Sequence, residues 1–217
     1  MLATIKKILT FTLLVFATSD ASSANYPSYQ LDHITVTKLV YAPANSTTLV
    51  YAKDSQWNNI PGNFRIYNNY PIVGACDGQP GEENKFRILE FAEANDLPVS
   101  IRLNAMHAGE PLTWVDSVVV TSTGQLPTGE IRPQAVTTVT GELVGIEESG
   151  TSYSTSIYVK DASGQIYNMS NWNPCYSSEA SRTAQRRLLG MELEALKNNA
   201  QVTMKGNVFL DELDLLP

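Results

Sequence analysis

Hydrophobic and polar residues alternate along His33 to Tyr41 and again along Thr137 to Ile146. In the first stretch Ile34, Val36 and Lys38 fall on one face, and Thr35, Thr37 and Leu39 on the other. A period of two is that of a half-buried strand. A polar turn follows each stretch, at Pro43 to Thr47 and at Glu147 to Ser152. A second strand then ends in the same dipeptide, Lys53-Asp54 or Lys160-Asp161. The next connection is long in the first half, Ser55 to Gly62. It is tight in the second, where Asp161-Ala162-Ser163-Gly164 reads as a hairpin turn. A third strand carries Ile66-Tyr67-Asn68 or Ile166-Tyr167-Asn168.

The period then changes. Glu82 to Asn95 and Glu179 to Asn198 read as helices. In the first, Ile88, Leu89, Phe91 and Ala92 share one face, opposed by Arg87, Glu90 and Glu93. The second has a wider apolar arc of Leu188, Leu189, Met191, Leu193, Ala195 and Leu196, interrupted by Glu192. A buried carboxylate needs a partner, so Glu192 is expected to reach solvent at a seam between two apolar stripes. Asn95 and Asn198 stand where a helix C-cap tolerates the left-handed conformation. Two further strands close each half: Val99 to Leu103 with Leu112 to Ser122, and Val202 to Asn207 with Val208 to Leu215.

The halves echo one another. The matched landmarks, in order, are Val36-Thr37 with Val139-Thr140, the Lys-Asp pairs, the Ile-Tyr-Asn tripeptides, Cys76 with Cys175, Val99-Ser100-Ile101 with Val202-Thr203-Met204, and Trp114-Val115-Asp116 with Phe209-Leu210-Asp211. Internal self-similarity of this kind marks a duplicated unit. Three strands, a helix and two strands is the order of an OB-type barrel. The expected fold is therefore mainly β with one helix per repeat: two tandem OB-like five-stranded barrels, at 31–122 and 135–217, joined by a linker at 123–134. Residues 1–24 read as a signal peptide, with Lys6-Lys7 before an apolar run from Ile8 to Ala17 and small residues at Ser22-Ser23-Ala24. That places the protein in the periplasm or outside the cell.

Composition narrows the function. The net charge is −7, and removal of the leader makes it more acidic still. Nucleic-acid binding needs a basic surface, so that class is set aside. Export favours a disulfide. The only two cysteines, Cys76 and Cys175, occupy matched positions, so they either bond across a pseudo-twofold axis or lie buried as two thiols.

The layout resembles the OB-fold B subunits of bacterial AB-type toxins and related small exported OB proteins. The resemblance lies in the helices ending at Ala94-Asn95 and Asn198-Asn199, the strands that follow them, and the terminal Trp114-Val115-Asp116 and Phe209-Leu210-Asp211 strands. It implies a binding role toward glycans or proteins. Those subunits are single barrels, whereas this chain holds two.

Catalytic signatures are sparse. His33 and His107 have no second His or Cys at metal-ligand spacing, and no Gly-x-Ser-x-Gly elbow is present. No cofactor or metal is implied. Aromatic rings beside amides are the best binding signal: Trp57, Tyr70 and Trp172, with Asn171 nearby. Flat rings and amides suit sugar faces and hydroxyls. The expected function is a non-enzymatic exported module that binds a glycan or protein. The alternatives are a structural or assembly protein of the envelope or secreted matrix, with homo-oligomer contacts through the helix faces, and a small exported hydrolase.

Overall fold

The computed structural model describes residues 28–42, 47–60, 64–67, 79–104, 114–122, 127–149, 154–172 and 179–216. The leader at 1–24, Tyr70, Cys76, His107 and Cys175 lie outside them. The chain is mainly β, with ten strands and two helices among the described residues. The order is β1 (Ser28–Ala42), β2 (Thr47–Lys53), β3 (Phe64–Tyr67), α1 (Gln79–Ala94), β4 (Pro98–Asn104) and β5 (Trp114–Thr121). Then follow β6 (Thr137–Ser149), β7 (Ser154–Asp161), β8 (Ile166–Trp172), α2 (Glu179–Lys197), β9 (Gln201–Gly206) and β10 (Leu210–Leu215). No described helix is long and apolar enough to cross a membrane.

In the first half the ladders run from β1 to β2, β3, β5 and β4, and β4 pairs back to β1. The β3–β5 pairing is parallel, through Arg65 and Trp114. In the second half β6 pairs β7 and β7 pairs β8, while β6 also pairs β9 and β9 pairs β10. A parallel bridge joins Ser170 of β8 to Phe209, just before β10.

The ladders fix which residues of the two halves correspond. Ala52 and Val159 precede the Lys-Asp pairs; Val36 lies opposite Ala52, and Leu143 opposite Val159. Val36 therefore corresponds to Leu143, not to Val139 as the sequence match has it. The β4 and β9 ladders agree, with Thr35 opposite Pro98 and Glu142 opposite Gln201. Both long strands break register just beyond this point, between Val36 and Lys38 and between Leu143 and Gly145. A bulge inserts one residue and switches the faces. The alternation read from the sequence therefore holds for Ile34 and Val36, which are buried, but reverses afterward. Lys38 is exposed and Leu39 packs on the core.

The Ile-Tyr-Asn tripeptides are also out of register. Ile66 lies opposite Thr48, whereas Ile166 lies opposite Lys160 beside the turn. Thr155, the counterpart of Thr48, faces Asn171. The longer first connection shifts the strand that follows, so the shared letters occupy different ladder sites. The Trp114-Val115-Asp116 match does hold. Asp116 falls at a register shift against β4 and Asp211 at one against β9.

Both helices end alike. Asn95 Nδ2 donates to the Phe91 carbonyl, and Asn198 Nδ2 to the Glu194 carbonyl, each at 2.8 Å. The left-handed residue is the next one, Asp96 (φ 52°) or Asn199 (φ 50°). Leu97 and Ala200 then donate back to Ala92 and Ala195, which satisfies carbonyls the helix leaves open. This places Glu192 where α1 has Leu89. One continuous core includes Ile34, Val50, Ile88, Leu89, Ile101 and Val118 from the first half and Leu143, Ile157, Leu189, Leu193 and Met204 from the second.

The two halves are joined by sheet. Ser117–Thr121 of β5 pairs antiparallel with Gly145–Ser149 of β6. Within β6, Gly141 crosses so close to β7 that a Cβ there would lie 2.1 Å from the Lys160 carbonyl oxygen. Gly141→Ala must push the strands apart, and is expected to lower unfolding stability by about 1–3 kcal/mol, read from the urea midpoint at unchanged slope.

Candidate functional site

The β2–β3 and β7–β8 connections are built on the same turn. Asp54 N–H donates to the Asn58 carbonyl at 3.0 Å, and Trp57 N–H to the Asp54 carbonyl at 3.0 Å. Asp161 N–H donates to the Gln165 carbonyl at 2.9 Å, and Gly164 N–H to the Asp161 carbonyl at 3.0 Å. The aspartate side chains brace both turns. Asp54 Oδ1 accepts from the N–H groups of Gln56 and Asn58, and Oδ2 from Asn58 Nδ2. Asp161 Oδ1 accepts from Ser163 N–H and Oγ–H and from Gln165 N–H. The Asn58 amide holds the Asp54 carboxyl below its ordinary range, as Ser163 does for Asp161. The recurring Lys-Asp pair thus ends a strand and caps its turn, as the sequence implies.

The turns differ at one position. Gly164 takes the left-handed conformation at φ 87°; the corresponding residue of the first turn is Trp57, at φ 63°. Glycine meets no steric cost there, whereas a residue with a Cβ is strained by roughly 1–2 kcal/mol. The ring is not buried in return. Trp57 is 66% exposed, and Lys53 Nζ lies 5.3 Å from the ring centroid, within reach of a cation–π contact.

The other ring named from the sequence is placed differently. Trp172 is the last residue of β8, opposite Ser154, and so stands in a strand rather than a loop. Its ladder counterpart is Tyr67, opposite Thr47. Trp57 and Trp172 therefore sit at opposite ends of corresponding hairpins and do not form one matched pair of platforms. Asn171 is half-buried beside Trp172 and faces Thr155.

A second cluster lies where the halves meet. Glu148 of β6 is fully buried. Its Oε2 accepts from Thr155 Oγ1 at 2.7 Å and from Asn84 Nδ2 of α1 at 3.1 Å, while Oε1 has no hydrogen-bond partner. Lys85, also buried, donates from Nζ to the Val115 carbonyl at 2.8 Å. Glu192 of α2 is 1% exposed, and its Oε1 has no partner. This overturns the expectation that Glu192 reaches solvent. The helices also clasp directly: Arg186 Nε donates to Glu83 Oε1 at 2.6 Å, and Arg87 to the same oxygen. Burial opposes the charge on Glu83, but Arg186 and Arg87 outweigh it and hold the carboxyl below its ordinary range.

Burial pushes Glu148 up to about 7, with the Thr155 and Asn84 hydrogen bonds opposing. Burial, then the nearby charge of Glu148, pushes Glu192 up to about 8. Near neutral pH this pair can hold and release protons. No described group of three or more His, Cys, Asp or Glu is arranged to hold a metal ion. The sequence hint of this cluster was the single acidic residue within the apolar arc of α2. Glu148, Asn84 and Lys85 gave no signal, because only the tertiary fold brings them together.

No protein-family model, no curated protein and no solved structure matches the chain.

The carboxyl groups of Glu148 and Glu192 are raised on folding, so the folded chain binds protons more tightly than the unfolded one. Their contribution to stability is full below about pH 4.5 and is lost progressively as pH rises from there through about 7 to 8. Glu192→Leu, which installs the residue found at the matching site of α1, is expected to flatten that fall and to stabilise the chain at pH 8.5. The expected gain is about 1–3 kcal/mol, measured by denaturant titration at both pH values.

Proposed function

We propose that the chain is an exported, non-enzymatic binding module of two OB-like five-stranded barrels, recognising a glycan or protein through the first β2–β3 turn. The barrel reading is supported by the pairing order of the first half, which runs one-two-three-five-four and back to one with its helix after the third strand. In the second half β7 and β9 flank β6, β8 pairs β7 and β10 pairs β9, and a single parallel bridge from Ser170 to Phe209 brings β8 beside the start of β10. Export is supported by the basic and apolar pattern of the first 24 residues.

The observation that carries the binding reading is Trp57. A strained, exposed indole occupies the site that glycine fills in the sister turn, and it stands beside Lys53 and the amides of Asn58 and Asn59. An indole face stacks on the C–H face of a sugar or on a flat side chain. The neighbouring amides and ammonium supply donors for hydroxyl or carbonyl oxygens. The turn is already held by backbone and Asp54 hydrogen bonds, so binding orders little that is not ordered beforehand.

Trp57→Gly separates function from folding. Glycine relieves the left-handed strain and loses the Lys53 contact, so the free energy of unfolding should stay level or rise by up to about 1 kcal/mol. Trp57→Ala keeps the strain and loses the ring, so it should be the less stable of the two. On a glycan array, or against a captured protein ligand, both variants should lose the signal of the parent chain. Parent-level binding by Trp57→Gly would remove the turn from the site.

A further inference from the structure

The ladder that joins the two halves has one strand from each, and among the described residues the chain carries a second copy of both with that edge unpaired. Within the chain, β5 offers Ser117–Thr121 and β6 offers Gly145–Ser149. The ladder correspondence makes Glu212–Leu216 the counterpart of Ser117–Thr121: Ser117 faces Arg102 of β4 as Glu212 faces Lys205 of β9, and Val120 faces Val99 as Leu215 faces Val202. It makes Lys38–Ala42 of β1 the counterpart of Gly145–Ser149, since Lys38 faces Tyr51 as Gly145 faces Tyr158. Among the described residues, Lys38–Ala42 pairs only β2 on one side, and Glu212–Leu215 pairs only β9.

Exposure shows what each edge lacks. Val120 and Thr121 are 0% and 2% exposed under β6, whereas their counterparts Leu215 and Leu216 are 41% and 38% exposed. Tyr158 is 2% exposed beside the junction; its counterpart Tyr51 is 36% exposed. Ile146 is fully buried, while Leu39 is only partly so. The same strands are covered at the internal junction and bare at the two outer ones. An unpaired strand with apolar side chains is a template for another strand.

We propose that the chain self-associates head to tail, with β10 of one copy pairing antiparallel along β1 of the next in the register of the internal β5–β6 ladder. That register sets Leu216 opposite Lys38, Leu215 opposite Leu39, Asp214 opposite Val40, Leu213 opposite Tyr41 and Glu212 opposite Ala42. The apolar pairs meet, and the acidic β10 edge comes beside the cation of Lys38. Repeating the internal junction between copies continues one sheet from chain to chain. The two surfaces differ, so the contact is heterologous and propagates into a ring or an open filament.

The test is mass in solution with edge-blocked variants, checked for unchanged far-UV circular dichroism. Val40→Glu puts a carboxylate opposite Asp214 and blocks the β1 edge. Leu215→Lys puts a charge in the apolar strip and blocks the β10 edge. By sedimentation velocity the parent chain is expected to form species larger than a dimer as concentration rises. Each variant alone is expected to stay monomeric. An equimolar mixture is expected to give a dimer and nothing larger, because one good β10 edge meets one good β1 edge. If Val40→Glu does not fold, the parent and Leu215→Lys masses still decide. A parent chain that stays monomeric at its solubility limit overturns the proposal, as does an assembly that survives Leu215→Lys. Trp57→Gly leaves both edges intact and should assemble like the parent chain, so loss of ligand binding and loss of assembly are separable.

Discussion

The antiparallel ladder between Ser117–Thr121 and Gly145–Ser149 is the constraint on which the arrangement of the two halves depends. It adds β6 to the edge of β5 and so makes one sheet continuous through both halves. It also sets α1 against α2, where Glu83 and Arg186 pair. The opposite face of the ladder turns Glu148 inward, under α1 and near Glu192. Two carboxyl groups without full hydrogen bonding are costly to bury as ions, so the seam holds protons instead. The same strand pairing that unites the halves thus buries the two carboxyl groups whose pKa burial raises.

The halves are most informative where they differ. α2 has Glu192 where α1 has Leu89, and this puts a titrating group in the seam. The first turn has Trp57 where the second has Gly164, and this puts a strained ring in solvent. β10 has exposed Leu215 where β5 has buried Val120. In the strands, each departure is measured against the position that the ladders place opposite the same partner in the other half.

Much of the element order was legible in the sequence. Strand and helix periods were strong, and the helix ends fell within three residues of those expected. The left-handed caps came one residue later than expected, at Asp96 and Asn199, because Asn95 and Asn198 instead turn back onto their own helices. Letter identity misled where loop lengths differ. Ile66-Tyr67-Asn68 and Ile166-Tyr167-Asn168 look equivalent, yet the two turns are the same length and the first connection has two extra residues between Ile60 and Phe64, which shift β3 against β2. Trp57 was legible as an aromatic beside amides, but its strain was not, because φ is set by the turn that Asp54 braces. The buried seam was nearly invisible. Glu192 looked like a seam residue reaching water, and nothing in α2 alone reveals that the first half covers it.

Residue-resolved amide hydrogen exchange tests the shared ladder most directly. If the β5–β6 pairing makes the halves one cooperative unit, the ladder amides of Ser117–Thr121 and Gly145–Ser149 exchange only with global unfolding. The core amides of β4 and β9 should then give the same opening free energy as each other. Early exchange of the β5–β6 amides, with β4 and β9 opening at separate free energies, would contradict a shared unit and leave two independently stable halves joined only by chain.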